Sequence, residues 1–225
     1  LPCSKELFPV GFRRLHPGGE VRPKSVAHYL LERMASAGAR RAFIVLRSGK
    51  WDIPAYFEAG VSVGMDLAYL VMRRPYGVPF TMDDAYPFLR QSTVAFGFPD
   101  ILYWPEDALS AIVERREATS VDIVVGVLPT RCPEKEDHLK LDDRGKIVGI
   151  RIKQPGCKLK YTWMIAVWGP RFTEFMHSFL AEIEPEIVAN DGLWNGRELY
   201  AGDVLWAAIQ HGLTHETVVF DEGGY

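Results

Sequence analysis

Few of the reactive side chains in this sequence stand at spacings that specify chemistry on their own. His211 and His215 have the four-residue separation of a helical zinc pair, but Gly212 stops a helix between them. His16, His28, His138 and His177 form no such pair. Cys3, Cys132 and Cys157 are odd in number and show no C-x-x-C spacing, which argues against a disulfide framework and against a zinc knuckle. No G-x-S-x-G elbow marks a hydrolase, and no G-x-G-x-x-G marks a dinucleotide-dependent oxidoreductase. Asp100 is more informative, because it directly follows the apolar run 93–98. A carboxylate at the carboxyl edge of a buried strand can hold Mg²⁺, although a turn residue or helix cap is the commoner use of such an aspartate. Asp203 lies in an apolar helical pattern with Val204, Leu205 and Ala208, where a solvated face is the plain reading. Gly77, after Pro75-Tyr76, serves either a turn or a close backbone approach to a ligand. Trp194 beside Asn195-Gly196 is a candidate for lining a sugar pocket, whereas core packing is the ordinary role of the scattered tryptophans.

The elements that must position these groups alternate along the chain. Val26, Tyr29, Leu30 and Met34 recur at helical spacing, so a helix is expected over 23–37 with Gly38 as its stop. The continuous apolar run 42–46 predicts a strand covered on both faces. Helices near 53–59 and 82–89 then alternate with strands near 67–72 and 93–98, and a helix through Leu109, Ile112 and Val113 leads to a strand at 121–127. The stretch 132–160 is charged and turn-rich, and runs 138–141 and 147–150 flank Asp142-Asp143-Arg144-Gly145 as a hairpin. A strand at 161–168 and helices at 172–183 and 198–211 complete the reading. This βα rhythm predicts a three-layer α/β/α, mainly parallel, doubly wound, Rossmann-like sheet, with ligands in the crevice at the carboxyl ends of the strands.

Composition narrows the class. The 225 residues are 48% hydrophobic, enough to bury a large core in a single domain spanning 1–225, with the hairpin region as an insertion at about 132–160. The 26 basic and 29 acidic residues nearly cancel and no basic block occurs, which disfavours nucleic acid as a partner. No unbroken apolar stretch approaches the ~18 residues of a membrane span. With its unpaired cysteine count, the chain is expected to be cytoplasmic with free thiols.

Five segments, in order, resemble the sugar nucleotidyltransferases, the family of glucose-1-phosphate thymidylyl- and uridylyltransferases. Ser4-Lys5-Glu6-Leu7-Phe8-Pro9-Val10 is similar to the family's P-K-x-L-L-P-V; Arg74-Pro75-Tyr76-Gly77 falls where a base-contacting loop belongs. Phe98-Pro99-Asp100-Ile101-Leu102-Tyr103 resembles a G-D-x-x-F stretch, Asp142 through Ile150 an L-D-x-x-G-x-V-x-x-I hairpin, and Arg197-Glu198-Leu199 through Asp203 an E-L-x-x-x-D helix start. Members of the family open with a strand and a Gly-rich G-x-G-x-R loop, and this sequence starts just after the place where that loop would finish. Likewise Val218 through Tyr225 resembles the lead-in to a D-I-G-T-P motif.

The resemblance implies transfer of a nucleotidyl group from a nucleoside triphosphate to a sugar 1-phosphate, with Mg²⁺ as cofactor and pyrophosphate as product. It assigns Asp100 and Asp203 as metal carboxylates, Lys5 as the cation that neutralises the triphosphate, and Gly77 as a base contact. A homo-oligomer is compatible with it. Several positions depart from the family. Its E-K-P sugar-phosphate motif falls on Lys153-Gln154-Pro155, so a neutral amide stands in the lysine's place, while Lys153 is one residue off and, in a strand, points to the other face unless a bulge re-aims it. Asp137 and Met164 fall where glycines approach the sugar, and Pro79 removes a backbone donor from the base loop. These departures keep a second reading open: a nucleotidyltransferase-like domain that binds a nucleotide or a partner without turnover.

Overall fold

The computed structural model describes residues 3–14, 19–131 and 133–225; His16 and Cys132 lie outside them. The chain first forms an antiparallel hairpin of β1 (Pro9–Arg14) and β2 (Val21–Ser25). Helix α1 (Val26–Ser36) follows and buries Val26, Ala27, Leu30 and Leu31; of the expected stripe, Val26 and Leu30 are buried while Tyr29 and Met34 are partly exposed. Strands β3 (Arg41–Leu46) and β4 (Asp66–Val71), joined through α2 (Asp52–Phe57), pair in parallel as a two-stranded sheet. Two short helices, α3 (Val78–Asp83) and α4 (Tyr86–Leu89), replace the single helix expected at 82–89.

The larger sheet has six strands. After β5 (Val94–Gly97) and α5 (Ala108–Thr119) come β6 (Ile123–Pro129), the hairpin β7 (Asp137–Leu141) and β8 (Ile147–Ile152), and β9 (Tyr161–Trp168). Helices α6 (Pro170–Ala189) and α7 (Ala201–Gln210) precede β10 (His215–Val219). The strand order is β10-β6-β9-β7-β8, with β5 also on β9. Only β10 and β6 are parallel; β9 runs antiparallel to β6, β5 and β7, and β7 antiparallel to β8. The expectation of a mainly parallel sheet is therefore corrected. Parallel neighbours need a long crossover, usually a helix, and the links 142–146 and 153–160 contain none, so β7, β8 and β9 reverse direction at each turn.

Two cores sandwich this sheet. On one face Ile123, Val125 and Val127 of β6 and Ala166 and Trp168 of β9 join α6 and α7; on the other Val124, Ile165 and Val167 join Leu30 of α1 and Leu109 and Ile112 of α5. The alternation is the period-two pattern of a doubly covered sheet. It slips once. The register of β6 on β9 shifts between Gly126 and Val127, pairing Gly126 with Ile165 but Val127 with Trp163, so Met164 is the extra residue of a bulge. Met164 accordingly belongs to the same buried core as Ile165. The Met164 side chain is 7% exposed and packs inward.

Candidate functional site

The first cluster forms at the carboxyl ends of β3 and β5. Ser4 is held to the start of α2 by two hydrogen bonds: its N–H donates to Asp52 Oδ2 (2.7 Å) and its hydroxyl to Asp52 Oδ1 (2.8 Å). That anchor fixes the 3₁₀ turn Lys5–Leu7, from which Lys5 Nζ donates to Asp100 Oδ2 at 2.5 Å. The hydrogen bond to this carboxylate, more than its charge, raises the Lys5 ammonium above its ordinary pKa and keeps it cationic. Lys50, just past β3, donates to Glu6 Oε1 at 2.6 Å. Lys5, Lys50 and Arg47 line one cleft of about 1040 Å³ together with Glu6 and Asp100, the carboxylates that pair with Lys50 and Lys5.

The loop between β4 and α3 is clamped from below. Arg73 donates through its backbone N–H and Nε to Asp84, while Arg74 donates to Asp83 (2.8 Å) and Glu184 (3.0 Å). Asp83 also meets His177 Nδ1 at 2.9 Å, and the His177 ring stacks on Tyr86. Gly77 closes this loop with φ +102°, and a Cβ there would stand 2.5 Å from the carbonyl oxygen of Leu199. The glycine is required by that left-handed backbone and by the approach of the loop to residues 198–199. Pro79, whose missing N–H raised concern for base recognition, occupies the first turn of α3, where a helix needs no such donor.

The second cluster surrounds the start of α7. Asn195 and Gly196 both have positive φ (49° and 78°), and Trp194 and Arg197 exchange backbone hydrogen bonds of 2.7 and 3.1 Å, a two-residue reversal of the kind Asn-Gly favours. Trp194 packs edge-on to Phe179 of α6. The reversal aims Arg197 at Asp203: Nη1 donates to Oδ2 at 2.8 Å and Nη2 to Oδ1 at 2.6 Å. Asp203 Oδ2 also accepts from the Tyr200 N–H at 2.9 Å, satisfying one of the open donors at the helix start. Lys153 has φ +41°, so the chain kinks as it leaves β8, and Lys153 Nζ comes to lie 3.8 Å from the centre of the Tyr200 ring. Gln154 is exposed in the following turn and its carbonyl accepts from the Cys157 N–H. Asp137 completes the cluster, with Oδ2 accepting from the Gly202 N–H at 3.1 Å. Burial foremost, then the nearby Asp203 charge, pushes the Asp137 carboxyl up to about 6, against the opposing pull of the Gly202 N–H.

The structure brings Lys5 to Asp100, Lys153 and Arg197 to the Tyr200 ring, and Arg197 to Asp203; it gives Asp100 and Asp203 separate partners. Magnesium can use one or two carboxylates with waters and phosphate oxygens as the remaining ligands. Asp100 is engaged by Lys5 through Oδ2, whereas both Asp203 oxygens are engaged by a bidentate guanidinium. Among the described residues no group of three or more His, Cys, Asp or Glu side chains is placed to hold a metal. Sequence reasoning missed Arg197, Arg74 and Asp83. The Asn195-Gly196 signal was sufficient to expect a tight turn presenting Arg197; nothing local announces Asp83 and His177, which are 94 positions apart.

No protein-family model matches the chain. It is 23% identical over 210 residues to a glucose-1-phosphate thymidylyltransferase of Streptomyces antibioticus, a match covering 89% of this chain and 53% of that enzyme, so the chain spans about half the length of this relative. Its fold superposes with a TM-score of 0.76 on a structure from Bacillus anthracis described as a glucose-1-phosphate thymidylyltransferase in complex with sucrose, at 16% identity, covering 97% of this chain and 79% of that one. It also superposes with a TM-score of 0.68 on a UDP-glucose pyrophosphorylase complexed with UDP-glucose, at 14% identity, covering 86% and 78%. Among the described residues no helix is long and apolar enough to cross a membrane. The sequence match supports a sugar nucleotidyltransferase-like family for this chain, and the structural overlaps show that it shares the fold of those two neighbours.

Proposed function

We propose that the chain carries the nucleotidyl-transfer domain of an enzyme that joins a nucleoside triphosphate to a sugar 1-phosphate. In that reaction a phosphate oxygen of the sugar phosphate attacks the α-phosphorus in line, the bond from that phosphorus to the bridging oxygen of the β-phosphate breaks, and pyrophosphate leaves with the electron pair. The protein has no covalent step to perform; it positions two anions and offsets their charge. The observation that carries this reading is the Lys5–Asp100 pair, one cation and one carboxylate 2.5 Å apart in a cleft that Arg47 and Lys50 also line. Lys5 receives triphosphate oxygens in exchange for Asp100. Asp100 is then free to hold Mg²⁺, which when bound supplies charge neutralisation at the α-phosphate.

Lys153 takes the acceptor role that the family gives to the next position. The positive φ of Lys153 goes with an ammonium over the Tyr200 ring at the start of α7, where Arg197 adds a second cation, so a sugar phosphate binds between them with the exposed Gln154 amide as a further donor. Asp203 is a positioning residue that orients Arg197. Gly77 sets the loop for the base, and Trp194 braces the turn beneath Arg197. Asp137, close to both cations, limits the space for the acceptor and selects against bulk near Gly202, where an added Cβ would already meet the carboxylate at 2.5 Å. The direct test is pyrophosphate release by the full-length polypeptide with a panel of triphosphates and sugar phosphates. Release with one matched pair is expected. Tight nucleotide binding with no release from any pair would favour the binding-domain reading.

A further inference from the structure

The cluster at the start of α7 holds its charges in balance. Lys153 Nζ lies 3.8 Å from the centre of the Tyr200 ring and the Arg197 guanidinium 5.6 Å from it, so two cations border one aromatic side chain. Two carboxylates, Asp203 and Asp137, stand against them, and they are not equivalent. Asp203 has both oxygens hydrogen-bonded by the Arg197 guanidinium, so its charge is answered at contact distance. Asp137 forms no salt bridge among the described residues; its Oδ2 accepts only from the neutral Gly202 N–H. Its Oδ1 has no hydrogen-bond partner among the described residues, yet it is not one of the unpartnered atoms sealed from solvent. One oxygen of a largely buried carboxylate is thus left open beside two cations.

Each element packed around Asp137 contributes to its electrostatics. The end of β8 supplies Lys153, the turn before α7 supplies Arg197, and α7 supplies Asp203, the first two favouring the charged carboxylate and the last opposing it. Strand β9 adds no charge, since Thr162 meets Asp137 only by donating its hydroxyl to the backbone carbonyl. On the same segment Glu136 accepts from the Thr130 hydroxyl, and His138 points to the opposite face by the alternation of β7. With Asp137 ionised, Lys153 and Arg197 are cancelled by Asp137 and Asp203, and an arriving phosphate dianion meets no net attraction. With Asp137 neutral, one positive charge remains. A buried carboxylate facing a like charge gives up its own charge by binding a proton. Burial, then Asp203, already hold this carboxyl at about 6, so a phosphate beside it extends a shift that the free site has begun.

We infer that Asp137 adjusts this site to its anion: it takes up one proton from solvent as the acceptor phosphate binds between Lys153 and Arg197. The proton goes to the open oxygen, because the other is occupied by the Gly202 N–H. The carboxyl then presents an O–H donor to the ligand in place of a repelling charge. This inference rests on the acceptor reading of the cluster given under the proposed function.

The test is isothermal titration calorimetry of the full-length polypeptide with glucose 1-phosphate and with inorganic phosphate, in paired buffers of different ionisation enthalpy. Parent and Asp137→Asn, whose amide is neutral at every pH, are compared at pH ~5 and ~8. The parent is expected to take up protons on binding, and its affinity to fall by up to about tenfold per pH unit above about 6. Asp137→Asn should show no such uptake, bind about tenfold or more tighter than the parent at pH ~8, and match it at pH ~5. The second ionisation of the ligand phosphate is common to both proteins and cancels in the comparison. Equal affinity of parent and variant at pH ~8, or equal proton counts, would overturn the inference and leave the acceptor site standing. Saturable binding by neither protein with either probe would overturn the acceptor reading and the inference together. Should the variant fail to fold, the ¹³C shift of the Asp137 side-chain carboxyl in the parent reads the same proton. It is expected to move to the protonated value when ligand is added at pH ~7, and an unmoved shift would overturn the inference.

Discussion

Arg197 grips Asp203 with both terminal nitrogens, at 2.8 and 2.6 Å, while the Tyr200 N–H bonds the same carboxylate. The aspartate side chain is 9% exposed, so this pair is substantially withdrawn from water on one side. Replacing the carboxylate by an amide removes the charge and one of the two acceptor oxygens, so the guanidinium loses its bidentate partner. Asp203→Asn should therefore lower stability by about 1–2 kcal/mol, read as a lower urea midpoint at unchanged m-value. Asp100→Asn, on a more exposed pair, should leave that midpoint nearly unmoved.

Gly77→Ala should cost at least ~1–2 kcal/mol, because alanine is strained at φ +102° and its Cβ would press on the Leu199 carbonyl. Thermal unfolding of the variant against the parent checks this. An unchanged midpoint would mean that the loop does not approach residues 198–199.

Asp137 titrates at about 6 in the folded protein, well above an ordinary aspartate, chiefly through burial. The folded state therefore binds this proton more tightly than the unfolded chain does. The stabilising contribution is complete below the unfolded value and is lost as pH rises through about 6. Asp137→Asn keeps an acceptor for Gly202 and removes the buried charge, so the variant should gain ~1–2 kcal/mol over the parent above that pH and nothing below pH ~4. Denaturant midpoints at the two pH values give the difference.

His28 behaves in the opposite sense. It is fully buried, with Nδ1 at 2.9 Å from the Ser25 hydroxyl, and burial first, then Arg13 and Lys24, lower its pKa to about 4. Its stabilising contribution is present above the ordinary histidine value and fades as pH falls toward about 4, because the unfolded chain takes up a proton that the folded one refuses. Relative to His28→Leu, the parent should lose at most ~3 kcal/mol across that interval. Paired unfolding curves would show the two stabilities converging or crossing on acidification.

Much of the fold was legible because local pattern decides it. The apolar run at 161–168 is β9 residue for residue, and Val26 and Leu30 of the expected helical stripe lie on the buried face of α1. The hairpin of β1 and β2 was not foreseen: Phe8, Val10, Phe12 and Val21 are exposed, so no buried face stamps an alternation on it. Strand direction was likewise hidden, since a doubly covered strand reads the same whether its neighbour is parallel or antiparallel. Lys5 and Asp100, singled out by the family resemblance, meet in space. The same route gave Asp203 a metal role, whereas its nearest chemistry is the guanidinium six residues earlier, presented by the Asn195-Gly196 turn.

The central claim is that Lys5 and Asp100 form the nucleotide end of a nucleotidyl-transfer site. The most direct measurement is pyrophosphate release by the full-length polypeptide, wild type against Asp100→Asn, with urea midpoints measured on both. The account predicts release by the wild type, with kcat lower by about 100-fold or more in the variant, as expected on losing charge stabilisation at the α-phosphate, and matching midpoints. Equal turnover by a variant of equal stability would contradict it.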